Sequence, residues 1–431
     1  MEVGLVGFIG FLVLLALGVP LAFSALTVGL LGIAWLKGAD VALNTLAFSP
    51  FGTLDKYGLM MIPLFMLMGY LSDLGNVVED GVAIAQAWLS RIPGGIAMSA
   101  VAACAMFAAV SGSSVASAAV MGTSLYPQLV QKGCDKRLVV GCIASAGTLA
   151  ILIPPSIVIV TFGIITGTPI GKLLIAGVLP GLLSAAMFMT LIALRVIKKP
   201  SLCPATYRVP WRERIAVLRS SFRLIIIATI VTGGIYSGIF TPSEAAAVGC
   251  VAAFIVSLGR RPGVNAYKQA MVRTTQTVAM VLLVVVGIIF FTQFLSVSGF
   301  MKAATDFLVE STLPINRYVV LIAVMALFLV LGCFMEALPI MMLTMPFLFP
   351  VMVTLGFDPV WFGILFVKNM EIGLVTPPVG LNVFVLKGVI PDMTLIDIFK
   401  SASPFMITDM ITLGLLVAFP AITLTLPNMM K

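Results

Sequence analysis

The sequence predicts an all-α polytopic membrane protein made of two inverted-topology repeats, each with a re-entrant helical hairpin and a helix broken by a Pro-Pro pair. Three observations carry that prediction. The chain is 61% hydrophobic and 10% charged, a composition suited to lipid rather than water. Pro154-Pro155 and Pro377-Pro378 interrupt long apolar runs, and the offset between them also pairs Pro127 with Pro350, Gly133 with Gly356 and Asp135 with Asp358. Nearly the same offset pairs Pro20 with Pro242, Gly75 with Gly299, Pro93 with Pro314 and Pro180 with Pro404. Matched Pro/Gly interruptions in two halves of a membrane chain are the sequence mark of a transporter whose site lies between the halves.

Taken in order, residues 3–36 hold two spans parted near Gly18-Val19-Pro20, and a third runs from Gly58 to Leu71. The first apolar run has no basic leader and no small-residue cleavage site, so it reads as a span and not a signal peptide. Residues 94–131 form two apolar helices joined at Ser111-Gly112-Ser113-Ser114. At about 25 Å each they fall short of the ~30 Å hydrocarbon core, which suits a hairpin that enters and returns. A broken helix follows at 138–166, then a span at 173–194. The second copy has spans near 223–240, 243–259 and 278–298, a hairpin at 318–354, a broken helix at 359–386 and a last span at 405–426. Repeat one is thus 1–197, a basic linker 198–222, and repeat two 223–431.

The segment 195–223 carries eight Lys or Arg against Glu213 alone. Basic loops stay cytoplasmic, and placing this one inside puts 18 basic residues inside and 6 outside, with Lys368 in the membrane. Each copy then has five crossings plus a hairpin that adds an even number. Five is odd, so the copies are inverted, the hairpin tips meet near the midplane and both termini lie outside.

Several classes of chemistry are absent from the sequence. There is no histidine, hence no histidine relay and none of the commonest metal ligand. No phosphate loop, zinc motif or nucleophile motif occurs, so the chain reads as non-enzymatic and free of cofactors. The six cysteines have no framework spacing and read as small packing residues, not disulfides or metal ligands.

The polar residues that lipid would reject concentrate at the breaks. The run Phe366–Asn382 holds Lys368, Asn369, Glu371, Thr376 and Asn382 around Pro377-Pro378. Paired prolines remove donors and stop a helix, and broken backbone at membrane depth must be buried in protein or face water. Freed carbonyls and hydroxyls suit Na⁺, while helix N-termini suit a carboxylate. One cation site is therefore expected near Ser111, Gly112, Ser113, Ser114 and Thr148, beside Pro154-Pro155. A second is expected near Gly332, Glu336, Gly373 and Thr376, with the solute between them and Asn369 and Asn382 close by. Lys368 and Glu371, one helical turn apart, are expected to pair, and Asp409 to sit near the interface.

The motifs resemble a known family. NMEIGLVTPPVGLNVFV at 369–385, SGSSVAS at 111–117 followed by Tyr126-Pro127, SAGTLAILIPPS at 145–156 and GCFMEALPIMMLTMPFLFP at 332–350 are similar to the large membrane (M, DctM-like) subunit of tripartite ATP-independent periplasmic (TRAP) transporters. The resemblance implies Na⁺-coupled uptake of an organic acid across a bacterial inner membrane, by an elevator movement of a transport domain against a scaffold. It implies two partners, a small four-helix membrane subunit (Q) and a periplasmic substrate-binding protein (P). Glu371 is an acid where that family is not expected to have one. The rival readings are an anion symporter or exchanger that needs no binding protein, and a non-transporting scaffold subunit of a membrane complex.

Overall fold

A computed structural model describes residues 2–55, 57–204, 209–220, 222–312 and 315–430. Among these residues every regular element is helical, as expected for a chain whose backbone must satisfy itself inside lipid. Four of the described helices are long and apolar enough to cross a membrane: Ile170–Lys198, Val264–Val297, Ala337–Thr354 and Leu395–Ala418. A fifth span arises if Gly58–Leu74 and Glu79–Leu89, which meet at 70°, count together, and seven shorter apolar helices complete the set. The protein is a multi-pass membrane protein.

Residues 94–131 fold as Gly95–Ser111 and Ser114–Gln131, and residues 318–354 as Arg317–Gly332 and Ala337–Thr354, each pair joined by a short turn. The first broken helix runs Lys136–Ala146, tightens into a 3₁₀ turn at Gly147–Ile151, and resumes as Ile157–Thr166. The second runs Pro359–Gly373 and resumes as Leu381–Val389. The Pro-Pro bond in each gap is cis.

Residues that the repeat offset pairs do the same local work. Gly133 and Gly356 both turn the chain with left-handed backbone, at φ 86° and 80°, which glycine adopts without steric cost. Asp135 then caps the first broken helix by accepting from the Leu138 amide at 3.0 Å. Asp358 caps the second by accepting from the Val360 and Trp361 amides at 2.8 and 2.9 Å. Each cap satisfies amides that a helix start leaves without partners.

Several elements differ from expectation. A helix at Ala39–Leu54 fills the segment before the third span. Val77–Leu89 and Phe300–Thr312 are additional helices, and the repeat offset pairs their first residues as well. The span expected at 278–298 is one continuous helix, Val264–Val297. Its first turns carry Asn265, Lys268, Gln269 and Arg273, which mask it from a hydropathy reading. The last span ends at Ala418 and not 426, because Pro420 cannot extend the hydrogen-bond ladder. Cys134 and Cys203, expected as separate packing residues, are joined as a disulfide with their Cα atoms 4.1 Å apart. Their separation of 69 residues hides a contact that the Asp135 amide also makes, donating to the Leu202 carbonyl at 2.7 Å.

Two hydrophobic clusters hold the helices, and each draws on both halves of the chain. The larger includes Phe11, Phe162, Phe294 and Phe366. The smaller includes Met121, Phe188, Leu386 and Phe405. Close helix contact depends on glycine at particular points. A Cβ on Gly141 would lie 2.1 Å from the Ser401 carbonyl oxygen, so the first broken helix touches Leu395–Ala418 backbone to backbone. Gly414, on the same partner helix, faces open space. Gly141→Ala should therefore lower the melting temperature in detergent by the equivalent of about 1–3 kcal/mol. Gly414→Ala should leave it unchanged or raise it by about 0.5–1 kcal/mol; equal effects from the two substitutions would refute this contact.

Candidate functional site

Each hairpin tip sits against a broken helix, and glycine makes the approach possible. At the first tip Gly112 is left-handed, φ 61°, and a Cβ there would meet the Pro155 carbonyl oxygen at 2.8 Å. Ser113 is extended and caps Ser114–Gln131 by accepting from the Ala116 amide. Ser156 caps the resumed half of broken helix one, accepting from the Ile159 amide at 3.3 Å and donating to the Ile151 carbonyl. At the second tip a Cβ on Gly373 would lie 2.6 Å from the Cα of Gly332. The Gly380 amide donates to the Cys333 carbonyl at 3.2 Å, so broken helix two closes onto its hairpin through main-chain atoms.

One side chain joins the two assemblies. The Asn382 amide nitrogen donates to Ser114 Oγ at 2.8 Å and to the Ala144 carbonyl at 3.3 Å, and the Ser114 hydroxyl donates back to Asn382 Oδ1 at 3.1 Å. Broken helix two is thereby tied to hairpin one and broken helix one, with Ser114 and Asn382 both buried.

The tips border a common cavity of about 180 Å³. Gly112, Ser113 and Ser114 line it from one hairpin, and Glu336, Pro339 and Met342 from the other. Ile157 and Leu374 contribute from the broken helices. Glu336 is the one charged side chain among the described lining residues, and it stands at the extended residue before Ala337–Thr354 without making a cap bond. The first turns of Ser114–Gln131, Ile157–Thr166 and Ala337–Thr354 all reach the cavity. Helix N-termini carry partial positive charge and free amides, so the cavity combines anion-attracting helix ends, serine hydroxyls, one carboxylate and apolar walls.

The other expected site residues lie outside this lining. Thr148 is buried in the 3₁₀ turn and donates to the Ser145 carbonyl at 2.6 Å. Asn369 donates to the Met325 carbonyl, holding broken helix two to the first arm of hairpin two. Thr376 donates to the Ile372 carbonyl. Gly332, Gly373, Pro377 and Pro378 shape the backbone beside the second tip. The side chain of Ser111 is outside the described residues. Sequence reasoning missed the opposite wall, formed by Thr277, Val281 and Val284 on the long helix and by Met66. Thr277, a hydroxyl entering an apolar run, was the available signal.

Behind the second tip lies an ionic cluster. Lys368 donates to Glu371 at 2.7 Å and to Ser184 at 3.0 Å, so the expected pair forms. Asp409, expected near the interface, is instead wholly buried and takes a third Lys368 bond. One turn of Leu395–Ala418 places it opposite Lys368, a tertiary contact that position along a span does not reveal. None of the three lines the cavity. Removing one partner of a buried pair leaves an uncompensated charge, at about 3–5 kcal/mol. Lys368→Met should accordingly abolish most folded protein, measured as monodisperse yield, while adding Glu371→Gln and Asp409→Asn should restore it. No recovery in the triple variant would mean that packing, not charge, holds the cluster.

Residues 8–422 match the family described as the DctM component of tripartite ATP-independent periplasmic transporters. The chain is 36% identical over 403 residues to the C4-dicarboxylate TRAP transporter large permease protein DctM of Pseudomonas aeruginosa, covering 91% of this chain and 93% of that protein. It is 36% identical over 447 residues to the protein of the same description from Rhodobacter capsulatus, covering 98% of each. In fold it is similar to the crystal structure of the Alcanivorax borkumensis YdaH transporter, with a TM-score of 0.58 at 13% identity over 90% of each chain. The chain belongs to the DctM component family of tripartite ATP-independent periplasmic transporters.

Proposed function

We propose that the chain is the membrane-embedded carrier of a Na⁺-driven uptake system for an organic acid. The observation that carries this reading is the convergence of two hairpin tips and two interrupted helices on one cavity that brings together helix N-termini, hydroxyls and a carboxylate. A solute carboxylate would rest on the amides at Ser114, Ile157 and Ala337. Na⁺ would take oxygens around Ser111, Gly112, Ser113, Ser114 and Thr148 at one tip, and around Gly332, Glu336, Gly373 and Thr376 at the other, with Asn369 and Asn382 fixing the backbone that supplies them.

In this reading residues 1–197 and 223–431 are inverted repeats joined by the basic linker 198–222. The hairpins, broken helices and last spans move as a transport domain against the remaining helices, in the elevator manner. The family's tripartite organisation supports a small Q subunit and a periplasmic binding protein as partners. The basic loops support both termini facing the periplasm, with the chain in the bacterial inner membrane.

The test is uptake of C4-dicarboxylates and related acids into proteoliposomes containing this chain and its small partner, with the Na⁺ gradient and the binding protein each present or absent. Accumulation should require both. Accumulation without the binding protein would make the chain a self-sufficient symporter, and accumulation driven only by a proton gradient would remove Na⁺ as the coupling ion.

The same assay tests the tips. Ser113→Ala and Glu336→Ala should each lower uptake by at least about tenfold, the effect of losing an ion contact of roughly 1.5–3 kcal/mol, while folded protein is retained. Unchanged rates in both variants would leave the tips a packing role only.

A further inference from the structure

The cavity at the tips has a larger neighbour. About 470 Å³ of space lies between the second half of the long helix Val264–Val297, the second arm of hairpin two and the end of broken helix one. Along the long helix it is lined by Val285, Ile288, Thr292 and Ser296, three or four residues apart, hence one helical face. Across from them stand Met342, Met345 and Phe349, likewise one face. Thr166, Thr292, Gln293 and Ser296 bring hydroxyls and an amide into a mostly apolar space, and Gln293 and Ser296 are exposed.

The two cavities adjoin at a single level. Val284 lines the smaller and Val285 the larger. Among the described residues Met342 is the one side chain that belongs to both linings, and it is 1% exposed. Methionine is unbranched and turns about three bonds, so at a narrow point it can fill the gap or clear it without moving the backbone.

We propose that Met342 is the constriction between the outer cavity and the solute cavity, and that the size of its side chain sets which solutes pass between them. Resting on the transport reading above, this makes the larger space an antechamber in which Thr292, Gln293 and Ser296 hydrogen-bond a compact polar acid before it reaches the hairpin tips. In the orientation proposed above, the antechamber lies on the outer side.

The experiment measures accessibility and needs neither Na⁺ nor solute. A reporter Val284→Cys in the inner cavity is exposed, in right-side-out vesicles of the full chain, to a charged, membrane-impermeant thiol reagent. The native thiols Cys104, Cys142, Cys250 and Cys333 are buried, and the chain without the reporter measures their background. Met342→Ala should speed labelling of the reporter by at least about tenfold. Met342→Leu, of similar volume, should leave the rate unchanged and Met342→Phe should slow it. A second reporter, Gln293→Cys, should label rapidly in every background, and an unchanged detergent melting temperature of each variant shows that it is folded. Equal Val284→Cys rates with Met, Ala and Phe at 342 would overturn the proposal, as would labelling seen only when the vesicles are turned inside-out. Either result leaves Na⁺-driven uptake standing, and failure of uptake leaves this measurement unaffected.

Discussion

Two interrupted helices inside an apolar protein must hide the ends of their own backbone, and the structure answers that constraint with main-chain contact. The Gly112 turn abuts the Pro155 carbonyl, the Gly332 and Gly373 backbones touch, and Gly380 donates to Cys333. Lipid offers no hydrogen bonds, so an open break there would cost several kcal/mol per group. Each hairpin is therefore the complement of its broken helix as much as a wall of the cavity. The cavity between the tips is what remains when these closures are made.

The closures also interlock the halves. Asn382 reaches from the second half to Ser114 and Ala144 in the first, and Lys368 bonds to Ser184 of the first half as well as to two acids of the second. At the loop ends Asp392 accepts from Lys136 at 2.7 Å and from Tyr126 at 2.8 Å. These bonds, Lys136 first, hold the Asp392 carboxyl below the usual carboxylate range. A depressed carboxylate contributes stability above its unfolded pKa and loses it as pH falls through the folded one. Because Asp392 and Lys136 are both about half exposed, that contribution is small and salt-sensitive.

What could be read in advance followed from how local each signal was. The paired prolines, the Gly133/Gly356 turns and the Asp135/Asp358 caps are short-range features, so residue type and spacing announced them. The hairpin turns were visible for the same reason, and they brought Gly112, Ser113, Ser114 and Glu336 into the cavity. Helices such as Val77–Leu89 and Phe300–Thr312 were missed because their polar residues interrupt the hydropathy on which spans were found. Asp409 and the Cys134–Cys203 pair were misplaced because they depend on partners 41 and 69 residues away. Asn369 and Thr376 were legible as unusual polar residues, but not as donors to nearby carbonyls. Side-chain direction is settled by packing, and no spacing rule encodes it.

The Ser114–Asn382 bond sets a condition on biosynthesis. The partners are 268 residues apart, and chains are made at about 5–20 residues per second, so the first hairpin exists for tens of seconds before Asn382 does. During that interval its polar tip has been delivered to the bilayer without the group that satisfies it. The nascent chain thus passes through a stage in which half of the finished core is missing and a serine-rich turn needs shelter. Until the second half arrives that turn has to find its hydrogen-bond partners elsewhere, because lipid supplies none.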